Sequence, residues 1–271
     1  MAESNNKNWA LVTGASSGIG YELAKLFAAD GFNIIAVART EEDLKKLADE
    51  CSHDYGVQVE VMPKDLFGEK SATELYQEVK ARGFEVEVLV NDAGQGVYGL
   101  FTESDLEAQM KIIHLNIVSF TRLTYHFVKD MVARKSGKIL QLASVVSELP
   151  APYQAVYGGT KAYVLSFTEA LISELKDSGV TLTALQPGAT DTDFFNKAGA
   201  QDSKIVQDKS KLAQPAQVAK DGYDALMKGD DKVVSGMKNK AQIAMSNLVP
   251  DTMLADQMKK QSEPVTGSSK L

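Results

Sequence analysis

A tyrosine followed four residues later by a lysine is a spacing suited to acid–base chemistry. The chain carries it four times: Tyr21/Lys25, Tyr76/Lys80, Tyr125/Lys129 and Tyr157/Lys161. A free phenol, with a pKa of about 10, is a poor base near neutrality. A neighbouring ammonium favours the phenolate and lowers that value. On a helix the i, i+4 spacing puts both side chains on one face. Spacing cannot choose among the four pairs, but position can. Tyr157 opens its expected helix close to the exit of the fifth strand, and Gly158 and Gly159 leave room beside it for a flat ligand. Ser144, at the end of that strand, sets a second hydroxyl on the same rim. The other three pairs lie elsewhere along helices, where an aromatic packing ring beside a solvated lysine is the ordinary reading, since a bare pattern match carries little weight.

A second group is "TGASSGIG", residues 13–20. Gly14, Gly18 and Gly20 join a strand to a helix. Without a Cβ the backbone turns tightly and approaches a pyrophosphate, and the helix start offers it free N–H groups and partial positive charge. Ser16 and Ser17 add hydroxyl donors. NAD sites usually place an acid at the end of the second strand, to accept from the ribose 2′-OH. Here that strand ends at Ala38 with no acid, and Arg39 follows. A guanidinium pairs bidentately with a 2′-phosphate, so the chain is expected to take NADP (NADPH) rather than NAD. Glu41 and Glu42 are the alternative partners for Arg39.

The elements that must position these groups follow from the hydrophobic pattern. Apolar runs at 9–14, 32–38, 57–62, 86–91, 137–144, 180–188 and 231–236 alternate with helical patterns, one of them a long amphipathic stretch at about 104–134. Thr40 and Asp43 form a variant of the capping box before the second helix. Strands this apolar, separated by helices, predict a doubly wound, mostly parallel seven-stranded sheet with helices on both faces, the Rossmann type of α/β fold. Its ligand crevice lies beyond the C-terminal ends of the strands. Residues 1–271 read as a single domain, with a substrate lid at 189–214 and a C-terminal extension at 237–271 that carries Met237, Met245, Met253 and Met258. The methionines suit a lid or a subunit contact, and the tail from Ser262 reads as frayed.

The net charge of -7 argues against nucleic acid as a partner. The start, "MAESNNKNWA", lacks the basic and apolar segments of a secretory signal. No apolar run approaches the ~20 residues that span a bilayer. With a single cysteine, Cys51, the chain reads as cytoplasmic and free of membrane. His53, His114 and His126 show no metal spacing, so no metal is expected.

Taken in order, "TGASSGIG", "NDAG" (91–94), Asn116, Ser144, "YGGTK" (157–161) and "PGATDT" (187–192) resemble the short-chain dehydrogenase/reductase family. The resemblance implies hydride transfer between a nicotinamide cofactor and a carbonyl or alcohol. It makes Tyr157 the general acid/base, Ser144 the hydrogen-bonding partner of the substrate oxygen, Lys161 the holder of the ribose hydroxyls, and Asn116 the support of a water relay. It assigns Gly14, Ser16, Ser17, Gly18, Ile19 and Gly20 to the pyrophosphate and Asp65 and Leu66 to the adenine. Asn91, Ala93 and Gly94 fall along the ribose, and Pro187, Gly188 and Thr192 at the nicotinamide amide. It also implies a homodimer or homotetramer through the fourth and fifth long helices. One departure is Asp92, where the family more often has Asn. It is expected to touch a hydrogen bond between central strands and not the chemistry. The stretch "VVSELPAPYQAV" (145–156), with Val97, Tyr98, Phe194 and Phe195, is expected to line the substrate side without Arg or Lys. That favours a small, fairly apolar carbonyl or alcohol. The alternative is a regulatory or sensor protein that binds NADP(H) without turnover. The Tyr–Lys spacing disfavours the enoyl-reducing variant of the family, and the scaffold alone does not decide function.

Overall fold

The computed structural model describes residues 8–246 and 248–265. The sheet has seven parallel strands: β1 (Trp9–Thr13), β2 (Asn33–Ala38), β3 (Val59–Pro63), β4 (Val86–Asn91), β5 (Gly137–Leu142), β6 (Val180–Gln186) and β7 (Lys232–Val234). Their order is β3-β2-β1-β4-β5-β6-β7, so the winding reverses between β1 and β4. A sheet wound this way opens its ligand crevice at that reversal.

Both faces are covered, which is why the strands read as apolar runs rather than as alternating patterns. One face carries α1 (Gly18–Ala29), α2 (Glu41–Tyr55) and α9 (Pro215–Lys228), whose Leu23, Phe27, Leu44, Leu47 and Val218 pack on β1, β2 and β4. The other carries α3 (Ser71–Ala81) and α5 (Phe120–Arg134), with Leu75, Val79, Leu123 and Phe127. Each such buried side chain contributes roughly 1.5–3 kcal/mol. Cys51 is sealed in the first of these cores, and burial pushes its thiol up to about 11, so it is an inert packing residue.

The expected single helix at 104–134 is instead α4 (Leu106–Ile113), a π-helical turn at His114–Ser119, and α5. The extra residue of the turn keeps a helical periodicity, so the sequence pattern does not reveal it. Polar side chains inside the turn fasten it to its neighbours. Ser119 Oγ donates to Leu66 O at 2.6 Å, and Asn116 Nδ2 donates to Gln95 O and Thr160 Oγ1 at 2.9 and 3.0 Å. Thr40 precedes α2 but makes no side-chain cap, so the expected capping box does not form. α6 (Ala155–Glu174) begins two residues earlier than expected, which leaves Tyr157 in its first turn.

Residues 189–214 hold the short helices α7 (Phe194–Lys197) and α8 (Lys204–Gln207). Beyond β7 come α10 (Met237–Ser246) and α11 (Asp251–Ser262). The chain after Ser262 is not frayed up to Val265, a correction to the reading of the tail. Ser203 bridges Pro264 in antiparallel fashion, and Val265 N donates to Asp202 O at 2.8 Å. Residues 266–271 lie outside the described residues. Among the described residues, no helix is long and apolar enough to cross a membrane.

Candidate active site

A cleft of about 1060 Å³ opens over the strand ends on either side of the winding reversal. Of the residues singled out from the sequence, Gly14, Ser16, Ser17, Gly18, Ile19, Arg39, Asp65, Leu66, Ala93, Gly94, Ser144, Tyr157, Lys161, Pro187, Gly188 and Thr192 line it. Gly20, Asn91 and Asn116 do not.

The glycine turn owes its shape to backbone that only glycine adopts readily. Gly14 and Gly18 have φ of 73° and 64°. A Cβ on Gly18 would lie 2.9 Å from Thr192 Cγ2, so the turn and the loop after β6 meet there. Gly20 acts from below, where a Cβ would lie 2.6 Å from Asp92 Oδ2 and 2.7 Å from Gly14 O. Asn91 is buried, and its amide donates to Thr124 Oγ1 and Gln141 Oε1 in the core at 3.0 and 2.9 Å. Arg39 rests over the Phe67 ring at 5.6 Å and makes no ion pair among the described residues.

Tyr157 faces Phe194 with ring centroids 5.1 Å apart. Burial pushes its phenol well above the ordinary tyrosine range, the Ser144 hydroxyl offsets part of the rise, and the charge of Asp92 adds to it. Lys161 is buried, and burial lowers its ammonium to about 8 against the opposing charge of Asp92. Its Nζ donates to Leu142 O at 2.6 Å and stands 5.8 Å from the Tyr157 ring centre. The expected lowering of the tyrosine by this lysine is therefore absent from the geometry, because the ammonium is turned to the end of β5. Ser144 Oγ accepts from Val146 N at 3.3 Å and donates to Pro187 O at 3.4 Å. Asn116 does not reach the cleft. It holds Thr160, whose hydroxyl donates to Tyr157 O at 2.7 Å, so the π turn braces the first turn of α6.

Two expectations are corrected. Asp92 does touch the site's electrostatics. The residue is half-exposed, yet its carboxyl is wedged under the glycine turn, and burial pushes it up to about 7 against the charge of Lys161 and a bond from the Gly20 N–H. The substrate side is also less uniformly apolar than expected, since Lys197, Lys204, Lys211 and Lys238 line the cleft. Val97 and Tyr98 stay outside its wall. Tyr98 stacks on Tyr153 at 5.5 Å and donates to Ser262 O at 2.5 Å. Met237 and Met258 line the cleft, Met258 buried and Met237 exposed, whereas Met245 and Met253 are exposed and lie outside the lining. Asn239, Gln242 and Gln261 of the C-terminal helices also line it, and no spacing in the sequence marks them.

The sequence profile described as short chain dehydrogenase matches residues 8–203. An uncharacterized oxidoreductase of Bacillus subtilis, YmfI, is 29% identical over 78% of this chain and 87% of its own length. A very-long-chain 3-oxoacyl-CoA reductase of Pyrenophora tritici-repentis is 35% identical over 66% of this chain, but the match spans only 53% of that protein. Among solved structures, a short-chain dehydrogenase from Sphingobium yanoikuyae in complex with NADPH superposes with a TM-score of 0.81 at 25% identity, covering 97% of this chain and 99% of the other.

Proposed function

The chain belongs to the short-chain dehydrogenase family of oxidoreductases, and from that premise we propose that it transfers a hydride between NADP(H) and the carbonyl or secondary alcohol of a fairly apolar small molecule. The observation that carries the reading is Tyr157 in the first turn of α6, facing the cleft with Ser144 on the rim and Lys161 buried one turn on.

The cofactor fits the residues present. Gly14, Ser16, Ser17, Gly18 and Ile19 line the cleft at the N-terminus of α1, whose first N–H groups and partial positive charge suit a pyrophosphate. Asp65, Leu66, Ala93 and Gly94 continue the trough, and Pro187, Gly188 and Thr192 close it. Arg39, lying on a ring with no acid partner among the described residues, suits the 2′-phosphate of NADP. When bound, the nicotinamide supplies or accepts the hydride.

The chain's own part is the proton. A phenol held high by burial is protonated near neutrality and donates to the substrate oxygen as general acid in the reducing direction. Ser144 orients that oxygen. Lys161 would hold the ribose hydroxyls, and its positive charge there would favour the phenolate of Tyr157. Residues 189–214 serve as the lid of this single domain and the C-terminal helices as its far wall. Exposed Leu106, Met110, Tyr125 and Val132 on α4 and α5 support association into a homodimer or homotetramer.

A panel of ketones and secondary alcohols, followed by nicotinamide absorbance with each cofactor, tests the reading. Turnover of apolar members with NADPH favoured over NADH is expected. Tight NADPH binding with no turnover of any member would point instead to a sensor.

A further inference from the structure

α10 is a surface helix with its polarity reversed. The face turned to the protein carries Asn239, Gln242, Ile243 and Ser246, three of them polar. Asn239 Nδ2 donates to Ser235 O at 2.7 Å, Gln242 Nε2 to Met258 Sδ at 3.4 Å and Ser246 Oγ to Ile243 O at 2.7 Å. The opposite face carries Met237, Ala241, Ala244 and Met245, all exposed, and Leu248 continues it just past the helix end. Met237 is 78% exposed, Met245 64% and Leu248 85%. These positions recur at the spacing of one helical stripe, which a surface helix ordinarily turns to the core. Single apolar residues at a surface are common, whereas a continuous stripe marks a place of contact.

The charge beside the stripe tells what kind of partner it meets. Lys238 and Lys240 are exposed on α10 and make no ion pair among the described residues. From Lys232 to Pro250 the sequence has Lys232, Lys238 and Lys240 and no acid, in a chain whose net charge is -7. Lysines elsewhere have an acid at hand: Lys45 pairs with Glu41, Lys197 with Asp193 and Lys211 with Asp208. An apolar stripe bordered by lysines is complementary to a surface that is apolar within and negative at its edge. A bilayer with anionic headgroups has that profile, and a helix lying in it buries its apolar face while its lysines meet the lipid phosphates. A second copy of this chain is less complementary, since a two-fold contact of stripe on stripe sets the lysines of both copies together.

The stripe also begins at the site. Met237 and Lys238 line the cleft, and so do Asn239 and Gln242 on the inward face of the same helix. A chain docked by the stripe therefore holds that rim of the cleft beside the bilayer. The lack of a run of ~20 apolar residues bears on crossing a membrane and not on lying upon one.

We infer that α10 docks this protein on an anionic lipid surface, with Met237, Met245 and Leu248 in the headgroup boundary and Lys238 and Lys240 on the phosphates.

The test is co-sedimentation of the full chain with phosphatidylcholine vesicles containing about one-fifth phosphatidylserine, against phosphatidylcholine alone. Binding to the mixed vesicles should be stronger by about tenfold or more, and it should weaken as salt rises and screens the lysines. Lys238→Gln combined with Lys240→Gln should lower the partition coefficient roughly twentyfold, the loss of two lysine contacts. Met245→Gln combined with Leu248→Gln alters residues outside the cleft lining and should lower it about tenfold or more. An unchanged melting temperature in each double variant establishes that it is folded. No binding of the wild type to the mixed vesicles, binding indifferent to phosphatidylserine, or binding that both double variants keep would overturn the inference. So would light scattering in which Met245→Gln with Leu248→Gln splits a wild-type oligomer, since the stripe would then be a contact between copies. None of these readouts needs turnover, so failure of the hydride-transfer reading shows separately, in the ketone and alcohol panel.

Discussion

The first turn of α6 and the middle of α3 carry the same pair, a tyrosine and a lysine four residues apart. In α3 the pair is closed on itself. Tyr76 Oη donates to Asp130 at 3.2 Å, Lys80 pairs with the same carboxylate at 2.9 Å, and the lysine side chain is 51% exposed. In α6 the residue Lys161 is 7% exposed and Tyr157 faces a cleft. Tyr21 and Lys25 repeat the α3 arrangement with Glu50 as the acid. What separates the pairs is enclosure and the state of the neighbouring acid, since an exposed ion pair is screened and worth little whereas an enclosed charge acts strongly on its neighbours.

The sharpest way to break this comparison is to remove each lysine. Lys161→Met should cost about a hundredfold in kcat/KM, the upper range for one charged hydrogen bond. Lys80→Met should leave steady-state kinetics unchanged. Comparable losses in both would show that enclosure is irrelevant.

The arginines offer a second contrast. Arg82 is tied to Glu60 and Glu78, whereas Arg39 makes no ion pair among the described residues. Arg39→Asp should shift the ratio of NADPH to NADH efficiency toward NADH by roughly tenfold or more, the loss of one charge-assisted contact. An unmoved ratio would remove Arg39 from the cofactor site.

The acids offer a third. Asp92 holds its proton up to about 7, above the ordinary carboxylate range, so between about pH 4 and 7 the folded state binds more protons than the unfolded one. Its contribution to stability is full below that window and is lost as pH rises through it. Lys161, lowered to about 8, acts only above that value and with the opposite sign. Melting scans should therefore show Asp92→Asn gaining on the wild type by a few degrees from pH 5 to pH 7.5. A constant difference across that range would contradict the enclosed acid. The smallest effect belongs to Tyr21→Phe and Tyr76→Phe, whose kcat should stay within about twofold of wild type, as surface changes away from a site normally do.

Much of this was legible in the sequence, and the reasons are physical. Seven apolar runs between helical patterns encode a sheet covered on both faces, and "TGASSGIG" encodes a turn that demands glycine at Gly14 and Gly18. The side of the cleft proposed for the cofactor is built from consecutive strand ends, so local spacing reports it. The far side of the cleft is built from α7, α8, α10 and α11, which are brought over it by contacts far apart in the chain, such as Tyr98 with Ser262. No local pattern reports Asn239, Gln242 or the lysines of that wall. The π turn was hidden because one added residue leaves the apolar periodicity nearly intact. Asp92 was misjudged because its partner, Gly20, is 72 positions away and only the folded chain presses them together.

Tyr157→Phe tests the central claim most directly. Hydride transfer should be followed in single turnover with NADPH and a ketone the wild type reduces, alongside the NADPH dissociation constant. The proposal predicts an unchanged dissociation constant and a rate lower by ~10²–10⁴, the usual contribution of a general acid. A variant that binds NADPH normally and transfers hydride at close to the wild-type rate would contradict it.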